Sequence, residues 1–240
     1  METLIYIIIG FVIGLVTIVF LFKPSVIKTG WLILRTKPFE QRIVGTPKVL
    51  LLGDSTGYGT GVVNPNDSVA GRLGAEYDVT IINNSVNGRT IKGLLDAIDT
   101  IIGVYEVIIL QIGANDILQK RDAKEVEGEL RQLVNTLEPK TQHIVMMSSG
   151  NVGTSPQFSD EQAKEYEALT RKYRDIFTAV ATDTSLTYVD LFKEPGHDEF
   201  AQEPETYMAA DGLHPSGKGY EQWYQKLQVV INPFLAKYKK

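Results

Sequence analysis

From Lys48 onward the chain alternates short apolar runs with longer amphipathic stretches. The runs are Val49–Leu52, Val79–Ile82, Val107–Ile112, Ile144–Met147 and Leu186–Val189. They are mostly β-branched residues or leucine and show no polar alternation, which predicts strands buried on both faces. Helices are predicted between and after them, near residues 66–75, 90–102, 122–137, 160–182 and 216–236. Ser159-Asp160-Glu161-Gln162 has the form of a capping box, Pro139 stops the third helix and Ser216 can cap the last. Strand–helix alternation repeated five times implies a parallel sheet with helices on both faces, wound right-handedly. Ligands in such sheets bind beyond the carboxyl ends of the strands.

The pattern ahead of Lys48 is different. Leu4 to Phe22 is a run of 19 residues without a charge. As a helix rising about 1.5 Å per residue it would span roughly 28 Å, close to the hydrocarbon thickness of a bilayer. Residues 1–23 are therefore expected to be a single transmembrane anchor, 24–47 a juxtamembrane linker and 48–240 the folded domain. A cleaved signal peptide is the competing reading, but the run has no basic segment before it and no Ala-x-Ala site after it. Gly30-Trp31-Leu32-Ile33-Leu34-Arg35 is apolar, with a Trp and flanking cations. It is expected either to lie along the membrane interface or to pack on the domain. Pro38 and Pro47 bracket the end of the linker.

Charge sharpens this division. Residues 1–47 carry five cations (Lys23, Lys28, Arg35, Lys37, Arg42) and two acids (Glu2, Glu40), a net +3. The remainder holds 19 basic and 27 acidic residues, a net −8, which makes the total −5. An acidic body argues against nucleic acid as a partner. The cations follow the apolar run, so the positive-inside rule places the domain in the cytoplasm. With 240 residues, 43% hydrophobic and 22% charged, the chain can bury one full core. The chain has no cysteine, which excludes disulfides, thiolate metal sites and a thiol nucleophile; three histidines make a histidine-rich metal site improbable. Neither a metal nor a cofactor is expected.

The candidate chemistry lies at the predicted strand ends. Ser55 ends the first strand within Gly53-Asp54-Ser55-Thr56-Gly57. Asp211-Gly212-Leu213-His214-Pro215 sits between the fifth strand and the last helix. A serine hydroxyl needs a base to take its proton as it attacks a carbonyl. His214 is the candidate base, because Asp211, three residues earlier, can reach Nδ1–H while Nε2 turns toward the serine. His143 reads as structural and His197 as solvated. Donors for an oxyanion are available from the backbone N–H of Ser55, the backbone N–H of Gly88 and the side-chain amide of Asn115. In isolation Ser55 reads as a turn, Asn87-Gly88 as a turn and Asn115-Asp116 as a helix cap. Their occurrence together, in order and at strand ends, reverses that.

These blocks resemble the SGNH (GDSL-type) hydrolases. Gly53-Asp54-Ser55 is similar to the first block, Gly88 sits in the second, Gly113-x-Asn115-Asp116 matches the third and Asp211-x-x-His214 the last. The likeness spans about residues 48–236. It implies a flavodoxin-like three-layer α/β/α sandwich with a five-stranded parallel sheet, no metal, and hydrolysis or transfer of acyl esters. By that resemblance Ser55 is nucleophile, His214 base and Asp211 its orienter, with Ser55, Gly88 and Asn115 forming the oxyanion hole. Thr56 replaces the usual leucine and Ser85 replaces a glycine common in the second block; neither removes a group the mechanism needs. The α/β-hydrolase elbow Gly-x-Ser-x-Gly also fits residues 53–57, but that fold needs strands before the serine.

The function expected is a membrane-anchored serine esterase that hydrolyses acyl esters of a lipid, a small alcohol or a sugar. An acyltransferase using the same residues is the near alternative, and a non-catalytic binding module the distant one. Tyr58, Ile117, Leu118 and the stretch 193–210, with Phe200, Tyr207 and Met208, are candidates to line an acyl pocket.

Overall fold

The computed structural model describes residues 24–240, together with Ile5. Apart from Ile5, the expected transmembrane segment 1–23 lies outside the described residues. Among the described residues no helix is long and apolar enough to cross a membrane.

Five strands form the sheet: β1 (Lys48–Gly53), β2 (Thr80–Asn83), β3 (Val107–Gln111), β4 (Ile144–Met147) and β5 (Leu186–Val189). All are parallel, in the order β2-β1-β3-β4-β5. The principal helices are α1 (Pro24–Arg35), α2 (Ser55–Tyr58), α3 (Val69–Glu76), α4 (Ile91–Asp96), α5 (Ala114–Leu118), α6 (Ala123–Leu137), α7 (Asp160–Asp183), α8 (Glu199–Gln202), α9 (Pro204–Tyr207) and α10 (Gly217–Leu235). The expected strands and long helices are recovered to within a few residues. The capping box at Ser159 is present, and Ser216 caps α10 by accepting from Gly219 N–H.

The double-sided burial of the strands has a direct consequence for the layers. In β1, Leu50 and Leu52 face a core built with Ile91 and Leu94 of α4, Leu130 and Val134 of α6 and Tyr173 and Phe177 of α7. Val49 and Leu51 face the opposite core, with Leu73 of α3 and Tyr220, Leu227 and Ile231 of α10. Side chains alternate across a strand, so one apolar run supplies both cores. The result is an α/β/α sandwich with the flavodoxin-like strand order.

Two expectations need correction. The helix expected over 90–102 stops at Asp96 and continues as a 3-10 turn over Ile98–Thr100. That turn brings Ile98 and Ile101, three residues apart, into the first core together. The segment 24–47 is more than a linker. Its first half is α1, with Leu32 buried, and the Thr36 hydroxyl beyond it donates to the Leu32 and Val62 carbonyls at 2.9 and 3.3 Å. Its second half pairs Gln41 with Ile81 of β2 in an isolated antiparallel bridge. α1 packs on the domain through Leu32 and the Thr36 bond to Val62, while Trp31 and Leu34 stay exposed.

Candidate active site

Ser55 opens the short helix α2 directly after β1. Asp54 caps that helix, and one of its carboxylate oxygens accepts from the Thr56 backbone N–H and hydroxyl, both at 2.8 Å. This capping replaces the strand with a tight turn and leaves the Ser55 side chain at the carboxyl edge of the sheet. Asp54 is fully buried, and burial pushes its carboxyl up to about 6 against the bonds from Thr56.

The second half of the site is the loop between α9 and α10. Met208 and Pro215 form an antiparallel bridge, and Ala209 N–H donates to the His214 carbonyl at 2.8 Å. Two further bonds hold the outside of the loop. Ser155 Oγ donates to the Gly212 carbonyl at 2.6 Å and Gln157 Nε2 to the Asp211 carbonyl at 2.5 Å. Within this frame Asp211 Oδ1 accepts from the backbone N–H groups of Leu213 and His214, at 3.0 and 3.1 Å. Asp211 Oδ2 lies 2.7 Å from His214 Nδ1, and His214 Nε2 lies 2.9 Å from Ser55 Oγ. Burial works against the charge on Asp211, but the bonds and charge of His214 and the two N–H groups outweigh it and bring the carboxyl down to about 2. A carboxylate that stays ionised beside Nδ1 fixes the tautomer that leaves Nε2 free to accept the serine proton.

Gly88 and Asn115 face the same cavity as Ser55. Gly88 has φ +78°, and a Cβ there would meet nothing within 4 Å. The glycine is therefore required by the left-handed backbone rather than by a close approach. Asn115 sits in the first turn of α5, and its Nδ2 donates to the Arg89 carbonyl at 3.1 Å, leaving the second amide hydrogen for another acceptor. The Arg89 bond ties Asn115 to the loop that carries Gly88. The structure thus brings all five sequence-predicted residues to one edge of the sheet, where β1 and β3 lie side by side at the topological switch point.

A family model for GDSL-like lipases and acylhydrolases matches residues 51–222. The chain belongs to that family. Its fold matches a G-D-S-L lipolytic protein from Veillonella parvula, with a TM-score of 0.63 at 20% identity over 77% of this chain and 98% of that one. An esterase, EstA, from Pseudoalteromonas gives 0.57 at 20% identity over 78% and 98%. The acetylxylan esterase Axe2 from Geobacillus stearothermophilus gives 0.54 at 19% identity over 82% and 96%. None of the curated proteins matches this chain in sequence. Membership makes the protein a carboxylic ester hydrolase of the GDSL type.

In this GDSL hydrolase the carboxyl edge of the sheet is concave beside Ser55. A cavity of about 240 Å³ opens on Ser55 and His214 and is lined largely by apolar groups, among them Leu118, Val152, Leu191, Phe200, Met208 and Trp223. Of the expected lining residues, Leu118, Phe200 and Met208 are in the wall. Ile117 instead packs in the core, Tyr207 packs on Phe200, and Tyr58 does not reach the cavity. His143 stacks on Phe234 at 3.8 Å, and His197 is exposed. Among the described residues no cluster of His, Asp and Glu could hold a metal.

Several residues around the site have roles that the sequence did not assign. Asp116, fully buried, accepts from Ile91 N–H at 3.0 Å and pairs with Arg121 at 2.9 Å, linking α5 to the start of α4. Asp198 is a buried wall residue whose carboxyl is pushed up to about 6 by burial. Asn151 also lines the cavity, and its buried Nδ2 has no protein partner among the described residues. Thr29 and Ile33 of α1 complete the wall. A run of amphipathic residues ahead of the domain gives no hint of which of them will meet the site.

Proposed function

We propose that this GDSL hydrolase is a membrane-anchored serine esterase that works through an acyl-enzyme on Ser55. The observation that carries the reading is the unbroken relay from Ser55 Oγ through His214 to Asp211, with spacings of 2.9 and 2.7 Å. In the first half-reaction Ser55 Oγ bonds to the ester carbonyl carbon as His214 Nε2 takes its proton. The carbonyl oxygen becomes an oxyanion held by the backbone N–H of Ser55 and Gly88 and by Asn115 Nδ2. Collapse breaks the bond to the alkoxy oxygen, and His214 returns the proton so that the alcohol leaves. In the second half-reaction His214 takes a proton from water, the hydroxide attacks the acyl carbon, and the acid departs as Ser55 regains its proton.

The mainly apolar cavity wall favours an acyl group there, with the alcohol toward the open side. The uncharged run Leu4–Phe22 supports an N-terminal anchor for residues 1–23, with the hydrolase domain over 48–240. The exposed Trp31 and Leu34 of α1, with Arg35 stacked on Trp31 at 4.1 Å, suit a helix lying close to the bilayer surface. The cations that follow the run favour a cytoplasmic domain.

The deciding experiment is labelling of the full chain with a fluorophosphonate, followed by turnover of p-nitrophenyl esters of graded chain length. Modification at Ser55 with release of p-nitrophenol is expected, and an unlabelled Ser55 in folded protein would refute the acyl-enzyme. Product analysis with an added acceptor alcohol identifies transfer if the new ester outruns the free acid. Protease protection in membrane vesicles reports the side on which the domain lies.

A further inference from the structure

Helix α1 precedes the stretch matched by the family, yet it reaches the centre of the site. The Thr29 hydroxyl donates to Asp211 Oδ2 at 3.0 Å, across 182 residues of sequence. This is the same oxygen that faces His214 Nδ1 at 2.7 Å. The other oxygen, Oδ1, is taken by the N–H groups of Leu213 and His214. Three of the four contacts on the carboxylate therefore come from its own loop. Among the described residues, Thr29 supplies the one side-chain donor from elsewhere in the fold.

The placement is reinforced along the helix. Ile33, four residues on and so on the same face as Thr29, lines the Ser55 cavity with it. Leu32 is buried, and the Thr36 hydroxyl bonds the Val62 carbonyl, which fastens the end of α1 to the loop beyond Ser55. A carboxylate turns readily about its last torsion, which is broad. A fixed donor on Oδ2 from a second element restricts that rotation and holds the oxygen in line with Nδ1.

We propose that Thr29 is a positioning residue for Asp211, so that the segment between the expected anchor and the domain is part of the active site. It acts through Asp211 on His214, by the hydroxyl bond to Asp211 Oδ2. The inference rests on the serine-esterase reading of Ser55.

The test compares wild type with Thr29→Val, Thr29→Ser and the distant helix-surface control Thr178→Val, all as the full chain in detergent. Valine keeps the shape of threonine and removes the hydroxyl. Thr29→Val is expected to lower kcat for a p-nitrophenyl ester on the order of fivefold with KM little changed, and Thr29→Ser to restore most of the loss. The proton NMR resonance of His214 Nδ1–H, which reports the bond to Asp211 without any turnover, is expected to move in Thr29→Val and to stay in place in Thr178→Val. A wild-type chain that neither hydrolyses esters nor labels at Ser55 would sink the esterase reading, while the resonance still judges Thr29. An unmoved resonance together with unchanged kcat in Thr29→Val overturns the proposal. So does a Thr29→Ser variant as impaired as the valine, because the methyl group and not the hydroxyl would then matter.

Discussion

Ser55 Oγ and His214 Nε2 stand 2.9 Å apart although 159 residues separate them in sequence. The contact is made by two tight structures, the capped turn after β1 and the bridged loop before α10, each held by its own hydrogen bonds. Ser55→Ala should abolish ester turnover in a protein that still folds, since among the described residues the hydroxyl bonds His214 alone. Asp211→Asn should lower kcat by about three to four orders of magnitude, because the amide no longer fixes the imidazole tautomer. Steady-state kinetics alongside circular dichroism separates lost chemistry from lost fold.

Asn115 offers a second measure of the mechanism. Its Nδ2 is held by the Arg89 carbonyl at 3.1 Å, so in the proposed mechanism the amide is already oriented when charge develops on the substrate. Asn115→Ala is expected to reduce kcat by about 10²–10³ with a small change in KM. A loss confined to KM would show ground-state binding instead.

The raised carboxyl of Asp54 makes a prediction about stability. An acid whose folded pKa is about 6, against about 3.9 in the unfolded chain, binds more protons when folded between those values. The contribution of Asp54 is therefore most favourable below the unfolded value and is lost as pH rises through 6, by roughly 2–3 kcal/mol. Asp198 adds in the same sense. Asp54→Asn should flatten much of this decline between pH 4 and pH 7 while keeping an acceptor for the Thr56 N–H. Urea midpoints at several pH values give the comparison.

Ser85, in place of the glycine common in its block, leaves a mark on the turn below Ser55. A Cβ on Gly57 would lie 2.5 Å from Ser85 Oγ and 3.3 Å from Gln111 Cβ. Gly57→Ala should cost about 1–3 kcal/mol through overpacking. Adding Ser85→Gly should recover part of that loss, because Ser85 Oγ has no bonding partner among the described residues to forfeit. Additive destabilisation in the double variant would show that the strain lies elsewhere.

Much of the fold was legible because buried parallel strands announce themselves as unbroken apolar runs and capped helices as local patterns. β4 and β5 coincide with the predicted runs, and the Ser159 box is where its four residues place it. The same alternation put Ser55, Gly88, Asn115, Asp211 and His214 at strand ends, and a parallel sheet aligns those ends along one edge. Local pattern could not reveal which surfaces the remaining elements would meet. The cavity wall at Asp198 and the tie from Asp116 to Ile91 depend on packing between elements distant in sequence. Thr29 is the clearest case. In the chain it is one hydroxyl in the stretch ahead of the first strand. Only the seating of α1 over the loop of Asp211 turns it into a donor to the site, since hydrogen bonds act over about 3 Å and periodicity says nothing about where a helix face will dock.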